Sequence, residues 1–569
     1  MRKKLIATLI ISLFSGLLVA QQVNVENVLG AGKNKPVSFN GGLSAGNIYY
    51  TGNESSSGRQ PWTYYLNGNL NMNLYGLIDI PISINLTNLG SDLSYPSLPN
   101  RLSLHPSYKW ATAHIGDVAM TFSPYTLNGH QFTGGGVDLT PGKFKIGAMG
   151  GRLMKEVLYS MDNPFLMPNY ERWGCGAKAQ YDAEKYSVGM IYFGAKDKKN
   201  ESMMFVLDSL GILPMQNSAF SWNVGLKLIQ NLTFTAEYGL SMLTRDFRAA
   251  AENNNFIDDI LNRKTSTNIY HAFNAGLNYQ LMKNTIGIGY ERIDPRYQTL
   301  GAYYFNNDYE NITLNFARPF LKDDKANISV SFGVQRDNLD KTKEETSNRY
   351  VGSVNLNYNP TEDLQFGLNF STFQSYRNVR SQFDLINEMS PYDNTDTLQF
   401  TQLSQNLDAS VMYTFQKSET STQRLNLNAS YQEAADQQGG ISLPGNVSRF
   451  VNSALGYGLT LIPQNINITA SINGTYSYAG MFTSYMVGPM AGITTSFFDK
   501  TLSCGFSTAY NVNIMEGSEQ GRVLNCRANA SYRFFKKHNV NANIVWQNRN
   551  LPLKTTYAIT ATVAYSYSF

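Results

Sequence analysis

Residues 555–569 read TTYAITATVAYSYSF, and the alternation within them decides the fold. Tyr557, Ile559, Ala561, Val563, Tyr565, Tyr567 and Phe569 share one phase, while Thr556, Ala558, Thr560, Thr562, Ala564, Ser566 and Ser568 share the other. Side chains alternate across a strand, so one face is apolar with aromatics near its ends and the other is small and polar. A wall strand set between lipid and a wet lumen has this pattern.

The same pattern runs upstream. Tyr64, Leu66, Gly68, Leu70, Met72 and Leu74 alternate with Tyr65, Asn67, Asn69, Asn71 and Asn73, and Ile80, Ile82, Ile84 and Leu86 continue the apolar face after a short turn. Asn at every second position is poor for a soluble strand, so one face is hydrated. Pro106 interrupts Arg101 to Trp110, and Gly116 with Asp117 breaks Ala113 to Phe122, which leaves this hairpin the weakest. Phe132 to Thr140 turns at Pro141-Gly142 into Lys143 to Leu153; pairing across that turn sets Leu139 opposite Phe144, Val137 opposite Ile146 and Asp138 opposite Lys145. Further pairs follow, from 171–181 with 186–197 through 404–415 with 423–433 and 450–461 with 466–477, to 522–534 with 538–548. Short turns alternate with long loops. The expected fold is all-β, a transmembrane antiparallel up-and-down β-barrel of about 26 strands, or 24 without the 101–122 hairpin, with both termini periplasmic. A soluble solenoid or propeller is disfavoured, because the chain has no fixed repeat motif or strict blade spacing.

Composition agrees. Aromatics make up 13% of the 569 residues and charged residues only 15%, with 36 Tyr and 46 Gly. The mean hydropathy of −0.29 is too polar for a helical membrane protein. Arg2, Lys3 and Lys4, the apolar run Leu5 to Leu18 and Val19-Ala20 form a secretory signal over residues 1–20, followed by a short periplasmic lead over 21–35 and the barrel over 36–569. Without the three basic residues of the signal, the 46 Lys+Arg become 43 against 42 Asp+Glu, too balanced a charge for a nucleic-acid surface. Of the three cysteines, Cys504 and Cys526 fall on the apolar phase and read as small lipid-facing residues rather than half of a disulfide framework with Cys175.

A barrel of this strand number encloses a lumen that would leak if open. Strand pattern begins within about twenty residues of the cleavage site, which argues against a separate plug domain; inward-folded loops or a partner remain. The apolar stretch Glu201 to Met215, with Met203, Met204, Phe205, Val206, Leu207, Leu210, Ile212 and Leu213, is a candidate plug loop; it either packs into the mouth, binds a partner or forms its own small core. Arg248 to Thr265 suits a short helix around Phe256, Ile257, Ile260 and Leu261, and Gln374 to Phe400 is the longest loop. Thr121 to Gln131 precedes the glycines 134–136, which leave room for another backbone; the segment either folds inward or forms a tight outer loop.

Catalytic chemistry is not legible. His105, His114, His130, His271 and His538 are scattered without metal spacing, no cofactor motif is present and no enzyme activity is expected. The candidate lumen or constriction residues are Asp117, His130, Asp138, Lys145, Arg152, Glu291, Arg292, Asp294, Arg296, Arg336 and Arg349. Opposed charges at close spacing either set a transverse field at a constriction or form a salt-bridged rim that holds a loop. Tyr297, Tyr303, Tyr304 and Phe305 beside them suit an aromatic track for carbohydrate or an interfacial girdle.

Residues 121–152 (TFSPYTLNGHQFTGGGVDLTPGKFKIGAMGGR), 289–317 and 333–360 resemble the large plug-less, porin-like outer-membrane barrels of Bacteroidota. The resemblance implies fold and location in the cell outer membrane and carries over no catalytic or ligand residue. Tyr565, Tyr567 and Phe569 resemble the C-terminal signal read by the barrel assembly machinery. The expected role is a channel or translocation component for solutes, its lumen closed by loops. The alternative is a non-conducting subunit that scaffolds a lipoprotein, secretion or assembly complex. Outer-membrane lipid is the expected surrounding.

Overall fold

The computed structural model describes residues 36–53, 60–88, 100–159, 168–199, 204–251, 263–321, 325–342, 348–372, 375–378, 400–438, 441–479 and 482–569. The signal segment, Met203 and residues 252–262, where the second helix was expected, lie outside them, as does most of Gln374 to Phe400.

One antiparallel sheet runs through the chain in sequence order and closes on itself. Val37–Gly52 pairs with Trp62–Leu74 on one side and with Thr555–Ser568 on the other, so no edge is left open. The sheet contains 28 β segments that form 26 wall strands. Two strands are each split in two. Arg101–Leu104 and Ser107–Tyr108 share the neighbours Ile78–Thr87 and Ala111–Thr121, and Leu364–Ser371 and Ser375–Asn378 share Phe400–Lys417. Pro106, which has no N–H to give the ladder, causes the first break. His105 N–H still reaches Pro81 O at 2.8 Å and Ala113 N–H reaches Pro106 O at 2.8 Å, so the wall stays sealed and the larger of the two expected strand numbers is correct.

The outward phase is apolar nearly all round. Ile286, Ile288, Ile312, Leu314, Phe332, Leu455, Ile472, Phe506, Ile544 and Val563 all expose their side chains. Aromatic contacts mark two heights on this face. Near the long-loop end, Tyr192, Phe220, Trp222, Tyr238 and His271 follow one another across neighbouring strands. At the short-turn end, Phe534, His538, Tyr565, Tyr567 and Phe569 cluster, and Phe569 N–H closes onto Gly41 O at 3.0 Å. From Trp173 to Tyr181 the strand runs about 26 Å along its own length, a rise of about 20 Å along the barrel axis at a tilt of about 40°. At a spacing of about 4.8 Å and a tilt of about 40°, a circular barrel of this strand number would span about 50 Å between backbones.

Two sequence expectations need correction. Leu139 pairs with Ile146, Val137 with Ala148 and Asp138 with Gly147, a slip of two residues from the expected register. The turn is wider than two residues because Thr140 N–H bonds Trp110 O on the preceding strand (2.8 Å) and Phe144 N–H bonds Pro141 O (3.1 Å), with Gly142 at φ +61°. A slip of two preserves the faces, so the alternation survives. Among the described residues from Phe400 onward, paired hairpins stand where long loops were expected at the end opposite the short turns. Ser421–Gln438 and Ile441–Leu461 pair out to Gln438 and Ile441, and Met515 and Ser518 flank a two-residue turn at Glu516 and Gly517, both at positive φ. These hairpins run beyond the apolar band, where a strand needs no apolar face, so their polar ends read as loop.

Candidate functional site

Two connections at the long-loop end turn back and lie on the inner wall. The first, residues 122–127, crosses from the strand Ala111–Thr121 to the strands Gln216–Ile229 and Leu232–Thr244. There Ser123 and Ser221 both donate to Glu237, and the Tyr125 hydroxyl reaches on to Glu291 Oε1 at 3.2 Å. The second, residues 294–308, enters from the strand Asn284–Ile293 and meets the first. Tyr297 donates to Tyr125 O (2.8 Å), Thr299 Oγ1 to Thr126 O (2.7 Å) and Asn128 N–H to Gly301 O (2.8 Å). Ser241 Oγ donates to Gln298 O, Leu300 N–H to Asn217 Oδ1 and Gln131 N–H to the Tyr303 hydroxyl, which fasten the pair to the wall. Gly301 is required here, since a Cβ at that position would lie 2.5 Å from Thr126 O.

Under the two segments the inner wall changes character. Leu127, Leu300, Phe132, Phe193, Leu153 and Leu243 form one buried cluster with Val118, Met120 and Met149. Tyr125, Tyr297, Ala272 and Ile293 form a second, with Phe305 and Tyr309 packed against it. Each large side chain so buried stabilises the lining by about 1.5–3 kcal/mol relative to exposure. Burial pushes the Tyr125 phenol well above its ordinary pKa, with Glu291 adding to the effect, and burial does the same to Tyr297. Both therefore remain neutral hydrogen-bond donors.

The candidate constriction residues separate by phase. His130, Asp138, Lys145 and Glu291 share the inner phase with the buried clusters. His130 stacks on Tyr303 at 4.1 Å between ring centroids. Asp138 holds Lys178 Nζ at 2.9 Å and His114 Nε2 at 3.1 Å, and Lys145 holds Asp182 at 2.7 Å, so the expected Asp138–Lys145 pair does not form. Asp117, Arg152, Arg292 and Arg336 lie on the outward phase, which corrects their assignment to the lumen. Asp117 accepts Leu102 N–H (3.1 Å) and Thr133 Oγ1 (2.6 Å) across the irregularity at Gly116, whose φ is +100°. Arg152 stands opposite Trp173. Arg292 and Arg336 flank Glu310, which also accepts the Tyr290 hydroxyl, in a rim cluster. Asp294 ties the base of its loop by accepting His271 N–H at 2.8 Å, and Arg296, at φ +64°, is exposed. Arg349 pairs with Gln335 in the ladder, and its side chain lies outside the described residues.

Within the apolar 201–215 stretch, Met204–Ser209 form a short helix, while Met215 at its end packs against the first lining cluster. Leu207 (1% exposed) packs on Tyr170 with Ile212 against them, a small core of the loop's own, while Met204 and Val206 are half-buried and Phe205 (85%), Leu210 and Leu213 stay exposed. Arg248 clamps it: its guanidinium makes two 2.9 Å bonds to Asp208 and two to Asp246. That clamp, the buried Arg172–Asp197 pair at 2.7 Å, and Glu237 escaped the sequence reading. The signal was present in MIYFGA (190–195), where both phases are apolar, as in a strand covered on both faces.

No family model matches the chain, and no curated protein matches it. Among solved structures it is similar to the translocation pore of the P pilus usher PapC, at 12% identity over 93% of this chain and 99% of that one, with a TM-score of 0.37. It is also similar to the FrpB iron transporter from Neisseria meningitidis (11%, 93% and 82%, 0.36) and to OccD3 from Pseudomonas aeruginosa (9%, 94% and 95%, 0.31). At such values these likenesses add nothing to what the closed strand ladder establishes by itself.

Proposed function

We propose that the chain is an outer-membrane channel or translocation component for solutes, exported by cleavage after Ala20, with both termini periplasmic and its lumen narrowed by the lining segments 122–127 and 294–308. The supporting observation is the burial of Tyr125, Leu127, Tyr297 and Leu300 against an inner wall that elsewhere is mostly polar. Lipid covers the apolar outer band, and Tyr565, Tyr567 and Phe569 present the closing strand to the assembly machinery. Replacing residues 297–305 by a short Gly-Ser linker should raise single-channel conductance in planar bilayers, and a barrel equally closed with and without the lining would sink this reading. Phe569→Ala should lower the yield of inserted barrel without changing conductance.

A second reading, a non-conducting scaffold, is favoured by one feature: Phe205, Leu210 and Leu213 stand exposed on the clamped rim helix and its extension. Co-purification of a lipoprotein, lost on Phe205→Ser, from a barrel that does not conduct would decide for it.

A further inference from the structure

Below segment 294–308 the inner wall holds a cavity of about 480 Å³, bounded by five consecutive strands from Leu232–Thr244 to Ala326–Arg336 and by Asn306 from the loop above. Its polar lining is made of amides and hydroxyls, chiefly Asn274, Asn311, Thr313, Asn315, Ser331 and Gln335. Gly276 and Gly289 leave two patches of wall backbone without side chains, and Tyr309 offers a ring. Asn311 decides the matter: it is 6% exposed, and its Oδ1 has no hydrogen-bond partner among the described residues, although it faces this cavity.

The lining selects by charge and polarity. It has no Lys or Arg, so an anion finds no counter-charge. Its one carboxylate, Glu291, already accepts the hydroxyls of Tyr125 and Tyr309, so a cation finds a carboxylate with part of its capacity spent. Among its aliphatic side chains there is only Ala275, so an apolar molecule gains little. A ligand that both donates and accepts at many points without net charge satisfies amides and hydroxyls together. The volume falls in the range of small-molecule sites.

We propose that this cavity binds a saccharide unit, a neutral polyhydroxylated solute, with Asn311 as the buried contact that fixes it. The proposal rests on reading the lumen as a solute path, and it is tested by binding, which does not require conduction. The full-length barrel in detergent is titrated calorimetrically with maltose, cellobiose and chitobiose, and with spermidine and inorganic phosphate as charged probes. At least one disaccharide should bind at millimolar concentration or below, neither charged probe should, and Asn311→Leu should weaken the sugar about tenfold through loss of the buried amide's bonds. If Asn311→Leu does not yield a heat-resistant folded barrel, Asn274→Ala and Thr313→Val, at less buried positions, supply the same reading. Absence of binding by all three sugars, binding unchanged by these substitutions, or a preference for spermidine abolished by Glu291→Gln would each overturn the site. Sugar binding by a barrel that never conducts would overturn the channel reading and leave the site standing.

Discussion

The two halves of the wall obey the same outward rule and opposite inward ones. Between Ala111 and Arg336 the inner phase includes Val118, Phe132, Met149, Leu153, Phe193 and Leu243, all buried. Between Phe400 and Ser568 it is mostly Asn, Ser, Thr and Gly, as in Asn467, Thr469, Ser471, Asn473 and Thr475, with scattered apolar members such as Met486, Met490 and Val545, the last packed with Ala558 under Tyr50 of the first strand. The connections differ in step: lining segments in the first half, hairpins paired to their tips in the second. A barrel's inner face is therefore polar where it meets water and apolar where its own loops cover it. The inner phase of each strand reports whether something lies on it.

The strongest way to break this contrast is to put a charge under the lining. Phe193 is wholly buried on the inner phase, so Phe193→Asp should cost about 3–5 kcal/mol and lift segments 122–127 and 294–308 off the wall. The equivalent inner-phase change in the second half, Ser507→Asp, faces the lumen and should stay within about 0.5 kcal/mol. Midpoints of thermal unfolding, with deuterium uptake by residues 122–127 in the folded barrel, compare the two; equal shifts would show that the lining does not depend on this apolar wall. A glycine pair repeats the comparison more gently. Gly301→Ala places a methyl 2.5 Å from Thr126 O and 3.0 Å from Leu127 Cα, whereas nothing lies within 4 Å of a Cβ at Gly458. The first should cost about 1–3 kcal/mol, and the second should be neutral or stabilising by up to about 0.5 kcal/mol, read from the same midpoints.

This contrast also explains what the sequence could tell. Period-two alternation is enforced wherever one face meets lipid, so strand number and the outward phase of Tyr64 to Leu74 or Tyr557 to Phe569 were legible from local pattern. Lining contacts are not local. Tyr125 and Glu291 stand far apart in the chain, and only the doubly apolar MIYFGA run hints that something covers that wall. The inward course of Thr121 to Gln131 is half visible in sequence, but the glycines that make room for it are Gly239 beside Tyr125 and Gly176 beside Phe122; those at 134–136 instead meet Gly150, His114 and Met120. The partner segment 294–308 stays ambiguous in sequence, since its charges suit a constriction or a rim and its aromatics a carbohydrate track or a girdle. Charge spacing misled for a related reason: Glu291 and Arg292 are neighbours in sequence but face opposite sides of the wall, so one joins the lining and the other the outer rim.

The smallest expected effect concerns the rim helix, which separates a clamped loop from a lining one. Hydrogen bonds from Arg248 hold the Asp246 carboxyl below its ordinary pKa. A carboxylate depressed by folding contributes stability that is full above its unfolded value, about 4, and is lost as pH falls through the lower folded value. The clamp is partly exposed, so its worth is about 1 kcal/mol, and salt screens part of that. At neutral pH, residues 204–215 should exchange amide protons more slowly in the wild type than in Arg248→Met. As pH falls through that lower folded value the two should converge while residues 122–127 stay protected, because their apolar burial and the bonds of Thr299 to Thr126 O and Asn128 N–H to Gly301 O do not titrate. Simultaneous loss of protection in both regions would mean that the rim helix and the lining form one cooperative unit, and the separation drawn between them would fail.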